Sequence, residues 1–279
     1  MKRFVELVRL EQTLFALPFA YSGALLAAGG WPRPAQLFWV TMAMVGARTA
    51  GMCANRLIDA EIDARNPRTK DRALPAGLIT PRAVFQMLLA SLALLALAAW
   101  QLNPLCLKLC PLAVTLLLAY SYLKRVTWAC HLGLGLVQAC APIGGWLAVA
   151  GSFAPAPLWL GAAIFLWVAG FDILYACQDI EVDRREGLHS LPARLGAEKA
   201  FWISRTFHLG TVLALAMAGA SLGLGLVYNA GIAVIGSLLV YEHSLLHPSD
   251  LSRMQKAFFE MNALVSVTFL LSVLGEVLR

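Results

Sequence analysis

The stretches that decide the fold are NRLIDAEIDARN at residues 55–66 and CQDIEVDRRE at residues 177–186. Both contain Asp-x-Glu-[Ile/Val]-Asp, at 59–63 and again at 179–183, so one acidic pentapeptide occurs twice, 120 residues apart. Each copy directly follows about twenty mostly apolar residues. The repeat predicts a polar site at one end of a bundle of hydrophobic helices.

The composition around these motifs is typical of a membrane protein. Of the 279 residues, 59% are hydrophobic and 14% are charged, whereas soluble domains carry roughly 25% charged residues. The apolar residues fall in nine blocks of about twenty, the length that crosses a hydrocarbon core of roughly 30 Å. In lipid each segment must satisfy its own backbone hydrogen bonds, so each is predicted to be a helix. The blocks span about 12–30, 36–57, 83–101, 104–122, 129–150, 157–177, 203–221, 226–246 and 257–277. The predicted fold is an all-α integral membrane protein with nine transmembrane helices in a single domain, residues 1–279.

The basic residues are divided unequally between the two sides of this predicted bundle. Eighteen of the 22 Lys and Arg residues fall near the N-terminus and in alternate loops. The positive-inside rule therefore predicts a cytoplasmic N-terminus and cytoplasmic cap loops at about 58–82, 122–130 and 178–202. We expect a multi-pass protein of a bacterial-type inner membrane. The net charge of +6 mostly reflects this bias, and the sequence indicates neither a nucleic-acid partner nor an obligatory protein partner.

The acidic repeat has the donor set of a metal site. Asn55, Asp59 and Asp63 are four residues apart, as are Asp179 and Asp183, and residues with this spacing share one face of a helix. Both sets fall at C-terminal helix ends, where exposed carbonyl groups are already partly negative. Mg²⁺ suits oxygen-only ligands and commonly completes its shell with water and substrate phosphate. The alternative is a set of solvated loop carboxylates, which the duplication and the flanking asparagine disfavour.

Basic residues follow each acidic motif. They are Arg68, Lys70 and Arg72 after the first motif and Arg184, Arg185 and Arg194 after the second. Guanidinium groups match phosphate oxygens in a bidentate geometry. Two acidic clusters beside two basic tracts predict two metal ions that bridge a diphosphate, with arginines on the remaining oxygens. For any single arginine, a role in membrane topology alone is the alternative.

The two motifs resemble those of the UbiA superfamily, the intramembrane aromatic prenyltransferases of quinone biosynthesis. The resemblance is carried by Asn55-x3-Asp59-x3-Asp63 with Arg-Thr-x-x-Arg at 68–72, and by Asp179-x3-Asp183. It extends over nearly the whole chain, through RLEQTLFALPFA at 9–20, YSYLKR at 120–125, APIGGW at 141–146 and FFEMNALVS at 258–266. Some branches carry a third aspartate where this chain has Tyr175, and Asp172 lies one turn deeper. That departure resembles the hydroxybenzoate-type branch, including members of a menaquinone route.

The resemblance implies a UbiA-like bundle and a reaction. It implies Mg²⁺-dependent transfer of a polyprenyl group from its diphosphate to a ring carbon of an aromatic acid, 4-hydroxybenzoate or a hydroxynaphthoate, in ubiquinone or menaquinone biosynthesis. Two Mg²⁺ ions are expected, one on Asn55, Asp59 and Asp63 and one on Asp179 and Asp183. Further diphosphate contacts are expected from Arg68, Arg72 and Lys124. Asp172 is the candidate for activating the acceptor hydroxyl, because a carboxylate at membrane depth is functional by default. Tyr120 resembles a residue that lines the reaction chamber, and Arg9 one near the acceptor carboxylate.

Two further residues are open to more than one interpretation. Arg48 lies seven residues before Asn55, so it is expected to face the site, where it either balances the acidic cluster or binds the acceptor. His131 is expected to be an interior histidine whose hydrogen bonds are satisfied.

Two other classes of membrane protein compete with this interpretation. A transporter of cations or organic acids also places charged residues near helices, but it would place them near the middle of the bilayer. Here they are concentrated at one end, beside the long loops. A CDP-alcohol phosphotransferase would require an Asp-Gly pair, and none occurs in this sequence.

Overall fold

The structure is a computed structural model that describes residues 10–279, with side chains from residue 16 onward. Arg9, predicted to lie near the acceptor carboxylate, is outside the described residues. The helices are α1 Leu10–Ala28, α2 Pro34–Ile58, α3 Ala60–Arg65, α4 Pro81–Leu102, α5 Pro104–Val126, α6 Cys130–Ala150, α7 Pro155–Ala176, α8 Ile180–Arg185, α9 Leu191–Leu195, α10 Ala197–Leu222, α11 Leu226–Leu245 and α12 Asn262–Val277. A 3₁₀ turn over Cys177–Asp179 and a π-helical turn over Lys256–Met261 complete the regular structure described in residues 10–279.

Within the described part of the chain, eight helices are long and apolar enough to cross a membrane, judged by length and composition. They are the helical segments at Pro34–Ile58, Pro81–Leu102, Pro104–Val126, Cys130–Ala150, Pro155–Arg185, Ala197–Leu222, Leu226–Leu245 and Lys256–Val277. Helix α1 contributes a shorter apolar stretch, Ala16–Ala28. The all-α multi-pass fold predicted from composition is confirmed, and the count of nine crossings stays a prediction.

Several helices begin with a capping side chain followed by proline. The Thr80 hydroxyl accepts a hydrogen bond from the amide of Ala83, and the Asn103 side chain accepts one from the amide of Cys106 at 2.9 Å. A proline follows each cap directly, where its missing N–H would have had no helical partner.

Two helices extend beyond the apolar blocks that predicted them. Helix α5 continues to Val126 and α10 begins at Ala197, so the connections expected over 122–130 and 178–202 contain less loop than predicted. A hydropathy pattern detects only the apolar part of a helix. It does not detect polar turns that continue the helix beyond that part.

Glycine residues allow helices α1 and α6 to pack closely against each other. A β-carbon at Gly145 of α6 would lie 1.9 Å from the carbonyl oxygen of Ala20 in α1, and one at Gly23 would lie 2.1 Å from that of Pro142. Such contacts replace the hydrophobic driving force that lipid cannot supply between helices. The buried ring of Phe19 packs near those of α7 and α12, 5.0 Å from Trp167 and 5.6 Å from Phe269.

Both acidic motifs lie across a break in a helix. Asp59 separates α2 from α3 with φ −93° and ψ 4°, and Asp179 ends the 3₁₀ turn between α7 and α8 with φ −107° and ψ 8°. These values lie in the sparsely populated bridge region, where many active-site residues are found. The spacing predicted that each set shares one helix face, and the helix that carries each set is interrupted at Asp59 and at Asp179. The amides of Asp59 and Asp63 still bond to the carbonyls of Asn55 and Asp59 at 2.9 and 2.8 Å, so the four-residue register survives the break.

Candidate active site

A cavity of about 340 Å³ brings the two motifs together. It is lined by eleven of the twelve predicted site residues, namely Arg48, Asn55, Asp59, Asp63, Arg68, Arg72, Tyr120, Lys124, Asp172, Asp179 and Asp183. The twelfth, Arg9, is outside the described residues. The cavity therefore collects in one place carboxylates and cations that lie more than 100 residues apart in the chain.

Asp59 is the most heavily bonded carboxylate of the first motif. Its side chain is buried, and Asn55 donates to its Oδ2 at 2.8 Å. Lys124 Nζ lies 2.8 Å from the same oxygen, and Arg125 Nη1 donates to Oδ1 at 2.9 Å. Because two cations from α5 meet this single carboxylate, α5 is held against the end of α2.

Asp63, one turn further on, is also buried and is paired with arginine. Arg72 Nη1 donates to both of its carboxylate oxygens, at 2.8 and 2.7 Å, and Arg56 Nη1 lies 3.8 Å from Oδ2. The hydroxyl of Thr69 donates to the backbone carbonyl of Asp63 at 3.0 Å. The loop after the first motif thus folds back over it.

Asp179 of the second motif is bonded to that same loop. Arg68 Nε donates to Oδ1 at 3.0 Å, Arg68 Nη2 donates to Oδ2, and Asn66 Nδ2 donates to Oδ1 at 3.2 Å. Arg68 also donates to the hydroxyl of Tyr175 at 3.1 Å. Burial lowers the pKa of the Arg68 guanidinium, but the bond to Asp179 and the nearby negative charge outweigh this, so the pKa lies above its ordinary value. This guanidinium is therefore a permanent cation that links the two motifs.

Asp183, the second carboxylate of this motif, has a neutral partner. The hydroxyl of Ser190 donates to its Oδ2 at 2.6 Å. Ser190 also caps α9, where its hydroxyl accepts a hydrogen bond from the amide of Ala193.

The donor set fits a hard cation that is shared with a substrate. Within the described residues, no group of three or more His, Cys, Asp or Glu side chains is arranged to hold a metal ion alone. Each motif instead offers two carboxylates, with the amide of Asn55 added to the first. Mg²⁺ is commonly held by one or two carboxylates together with water and substrate phosphate, so the residues fit a magnesium ion that is completed by a phosphate-bearing ligand.

Asp172 lies deeper in the cavity and has a different environment. Its side chain is 27% exposed, and its Oδ2 lies 2.6 Å from Nδ1 of His131. The other ring nitrogen of His131, Nε2, accepts a hydrogen bond from the amide of Leu191 at 3.3 Å. His131 is buried and satisfied on both nitrogens, as expected, but one of its partners is the very carboxylate singled out for the acceptor.

Arg48 is half-buried where the polar cavity meets a second, apolar cavity of about 390 Å³, and it lines both. Its Nε has no hydrogen-bond partner. Among residues 16–279, no carboxylate forms a salt bridge with it. Of the two interpretations of Arg48, direct pairing with the acidic cluster is therefore not what the structure shows.

Several residues of this network, Arg125, Asn66 and Ser190 among them, were not predicted as site residues from the sequence. Arg125 had only been counted among the basic loop residues, although its position beside Lys124 at the end of a membrane helix was a usable signal. Ser190 and Asn66 had no such signal, because their partners are chosen by the fold. Asn66 reaches Asp179 across 113 positions of sequence.

Comparison with known proteins identifies the family of this chain. The chain belongs to the UbiA prenyltransferase family, whose sequence model matches residues 16–264. It is 30% identical over 263 residues to the 4-hydroxybenzoate octaprenyltransferase of Shewanella sediminis (strain HAW-EB3), covering 93% of this chain and 91% of that protein.

Solved structures share the fold. The apo structure of a UbiA homologue from Aeropyrum pernix K1 superposes with a TM-score of 0.87 at 33% identity, covering 95% of this chain and 98% of that one. A UbiA homologue from Archaeoglobus fulgidus bound to DMAPP and Mg²⁺ superposes with a TM-score of 0.75 at 20% identity, over 99% of both chains. At that identity the second likeness concerns the fold alone.

Proposed function

We propose that this chain is a Mg²⁺-dependent aromatic prenyltransferase that joins a polyprenyl group to a ring carbon of an aromatic acid. The observation that carries the proposal is the convergence of both aspartate motifs and their basic partners in one cavity, directly beside an apolar one. The Shewanella relative is named for transfer to 4-hydroxybenzoate, and the Archaeoglobus homologue was solved with a prenyl diphosphate and Mg²⁺. Family membership and the one-ended placement of polar groups favour transfer over transport.

The polar cavity is the proposed diphosphate site. Asn55, Asp59 and Asp63 on one side, and Asp179 and Asp183 on the other, would hold Mg²⁺, which when bound stabilises the charge that develops on the leaving diphosphate. Arg68, Arg72 and Lys124 already contact these carboxylates. Small side-chain movements would bring the three cations onto diphosphate oxygens in the same cavity. Charged donors aimed at the developing negative charge are the main contribution that a protein makes to such a step.

The apolar cavity suits the hydrocarbon tail. Its lining is almost entirely aliphatic and aromatic, including Met44, Leu117, Leu136 and Phe153. It shares Arg48, Met52, Tyr120, Leu134, Gln138 and Ala141 with the polar cavity. A prenyl diphosphate bound across this border places its reactive C–O bond beside Tyr120, with its head among the arginines and its tail among the aliphatic side chains.

The acceptor would lie between Asp172 and Arg48. The carboxylate of Asp172 accepts a hydrogen bond, or the proton, from the ring hydroxyl and so raises the electron density of the ring. The allylic C–O bond breaks with its electron pair leaving on the diphosphate, a C–C bond forms to the ring, and the ring carbon gives its proton to the released diphosphate. Exclusion of water protects the allylic cation from hydrolysis. Arg48, whose buried Nε has no hydrogen-bond partner, is the candidate partner for the carboxylate of the acceptor.

The remaining assignments are proposals of the same kind. We infer a single domain over residues 1–279 in a bacterial-type inner membrane, with nine crossings, a cytoplasmic N-terminus and the cap loops on the cytoplasmic side. The proposed acceptor is 4-hydroxybenzoate or a hydroxynaphthoate, which places the product in ubiquinone or menaquinone synthesis. No obligatory protein partner is expected.

The test is transfer by the purified protein in lipid vesicles. Labelled prenyl diphosphates of several lengths are supplied with Mg²⁺ and with 4-hydroxybenzoate, a hydroxynaphthoate or a neutral quinol. Prenylation of an acid, with release of one diphosphate per product, is expected. Release of diphosphate without ring prenylation for every acceptor, by a protein that binds prenyl diphosphate, would refute the acceptor class.

A further inference from the structure

We propose that His131 is a positioning residue, which orients the carboxylate of Asp172 and ties it to the loop that follows the second aspartate motif. This inference rests on the proposed function, in which Asp172 meets the acceptor hydroxyl. His131 lies in the first turn of α6, whereas Asp172 belongs to α7, so the contact joins two helices at the edge of the cavity.

The hydrogen bonds of His131 define its tautomer. A backbone amide can only donate, so the bond from Leu191 N–H to Nε2 requires that Nε2 carry no proton. The hydrogen of the neutral imidazole is then on Nδ1, which donates to Oδ2 of Asp172. A neutral imidazole has one donor and one acceptor, and here both are used. The ring therefore donates to Asp172 from Nδ1 while its Nε2 is held by the amide of Leu191.

His131 and Asp172 differ in how far their side chains are buried, so the more buried ring can restrict the rotamers of the carboxylate. The His131 side chain is 4% exposed, whereas the Asp172 side chain is 27% exposed and lines the cavity. Among the described residues, His131 is the only side chain that hydrogen-bonds to Asp172. A partly solvated carboxylate has several rotamers, and a bond from a buried ring selects one of them. Reacting groups must be held to within about 0.5 Å of their productive geometry.

The same loop also orients the second aspartate motif. Leu191 binds His131 through its amide, and its neighbour Ser190 binds Asp183 through its hydroxyl. The loop is anchored one residue earlier, because the amide of His189 donates to the carbonyl of Lys124 at 2.7 Å. Ser190 and Leu191, the N-cap and the first residue of α9, thus orient the carboxylate of Asp183 at the diphosphate site and, through His131, the carboxylate of Asp172 at the acceptor site. Ordering of this loop would align both substrates together.

The test compares side chains that keep or lose both hydrogen bonds. Glutamine has an N–H donor and a carbonyl acceptor at the end of a long side chain, so His131→Gln can replace both bonds. His131→Asn carries the same amide one methylene shorter and cannot span both partners, and His131→Ala carries neither group. We expect His131→Ala and His131→Asn to lower kcat about 10- to 100-fold, as loss of an orienting partner commonly does. Prenyl diphosphate affinity stays unchanged, and His131→Gln recovers most of the lost kcat.

Several results would overturn the inference. If His131→Gln is as slow as His131→Asn while both bind prenyl diphosphate normally, the imidazole itself is required and positioning is the wrong role. The Gln and Asn pair keeps the comparison valid even if His131→Ala does not fold. Nitrogen-15 NMR of the histidine rings, assigned by difference with His131→Gln, should show a neutral ring protonated on Nδ1. Protonation of both ring nitrogens at neutral pH would contradict the assigned tautomer.

Failure of this inference is distinguishable from failure of the proposed function. Normal turnover by Asp172→Asn would remove the proposed role of Asp172, and the role of His131 with it. Slow turnover by Asp172→Asn together with normal turnover by His131→Ala would overturn the positioning role alone.

Discussion

The neighbouring cations Lys124 and Arg125 both contact Asp59, yet the structure predicts separate consequences of removing them. Arg125 donates to Asp59, to the carbonyl of Ile58 at 2.7 Å and to the carbonyl of Ser121 at 3.1 Å. Ile58 is the last residue of α2, where carbonyl groups have no partner within the helix. Lys124 has the Asp59 contact alone among its described ion pairs. Arg125 therefore stabilises the contact between α5 and the end of α2. The side chain of Lys124 has fewer partners and can turn towards a substrate.

The expected loss of stability in each variant follows from the hydrogen bonds and ion pairs that it removes. A hydrogen bond to a charged group contributes about 1.5–3 kcal/mol, and the Arg125 side chain is 30% exposed, so solvent screening reduces its share. We expect Arg125→Ala to lower the free energy of unfolding by about 2 kcal/mol. Lys124→Ala removes one partly exposed ion pair and leaves Asp59 paired with Arg125, so it should lower the free energy of unfolding by less, about 1 kcal/mol. The affinity for prenyl diphosphate should fall about tenfold or more in Lys124→Ala, because a cation on the diphosphate is lost.

Stability and affinity for prenyl diphosphate are both measured on each variant. Equilibrium unfolding in detergent micelles gives stability, and binding of a non-hydrolysable prenyl diphosphate analogue in the presence of Mg²⁺ gives affinity. Lys108→Ala serves as a control, since Lys108 lies in the first turns of α5, far along that helix from Lys124. Equal losses of stability in Lys124→Ala and Arg125→Ala, with unchanged affinity in both, would refute the division of roles.

The other predictions concern the metal, the two carboxylate sites, the acceptor and the helix packing. Chelation with EDTA should abolish transfer and added Mg²⁺ should restore it; full activity of metal-stripped protein would exclude the proposed metal site. Asp183→Ala should both weaken prenyl diphosphate binding and slow turnover, whereas Asp172→Asn should slow turnover and leave that binding intact. If both variants lost binding and turnover alike, the separate roles proposed for the two carboxylates would be refuted. The wild type should prefer an aromatic acid to its methyl ester, and Arg48→Met should lose that preference because the guanidinium that pairs with the acceptor carboxylate is no longer present. Equal use of acid and ester by the wild type would reopen the choice of acceptor. Gly145→Ala should destabilise the fold by about 1–3 kcal/mol, since the added methyl group would meet the backbone of Ala20 and force the helices apart; an unchanged unfolding midpoint would contradict that contact.

The fold class and the chemical elements of the site were determined by local features of the sequence. Blocks of apolar residues specify membrane helices because lipid offers the backbone no hydrogen-bonding partner. The spacing of Asn55, Asp59 and Asp63 specifies a shared face because the helical register is set by neighbours in the chain. Eleven of the twelve predicted residues accordingly line one cavity, although their individual roles stay predictions.

The tertiary structure alone decided how these elements meet. No local pattern pairs Arg68 with Asp179 across 111 positions, or His131 with Asp172 on a neighbouring helix. A periodic pattern specifies which face of a helix a side chain occupies. The partner on the facing helix depends on the rotation and depth of two packed helices, and these are set by contacts summed over the whole bundle.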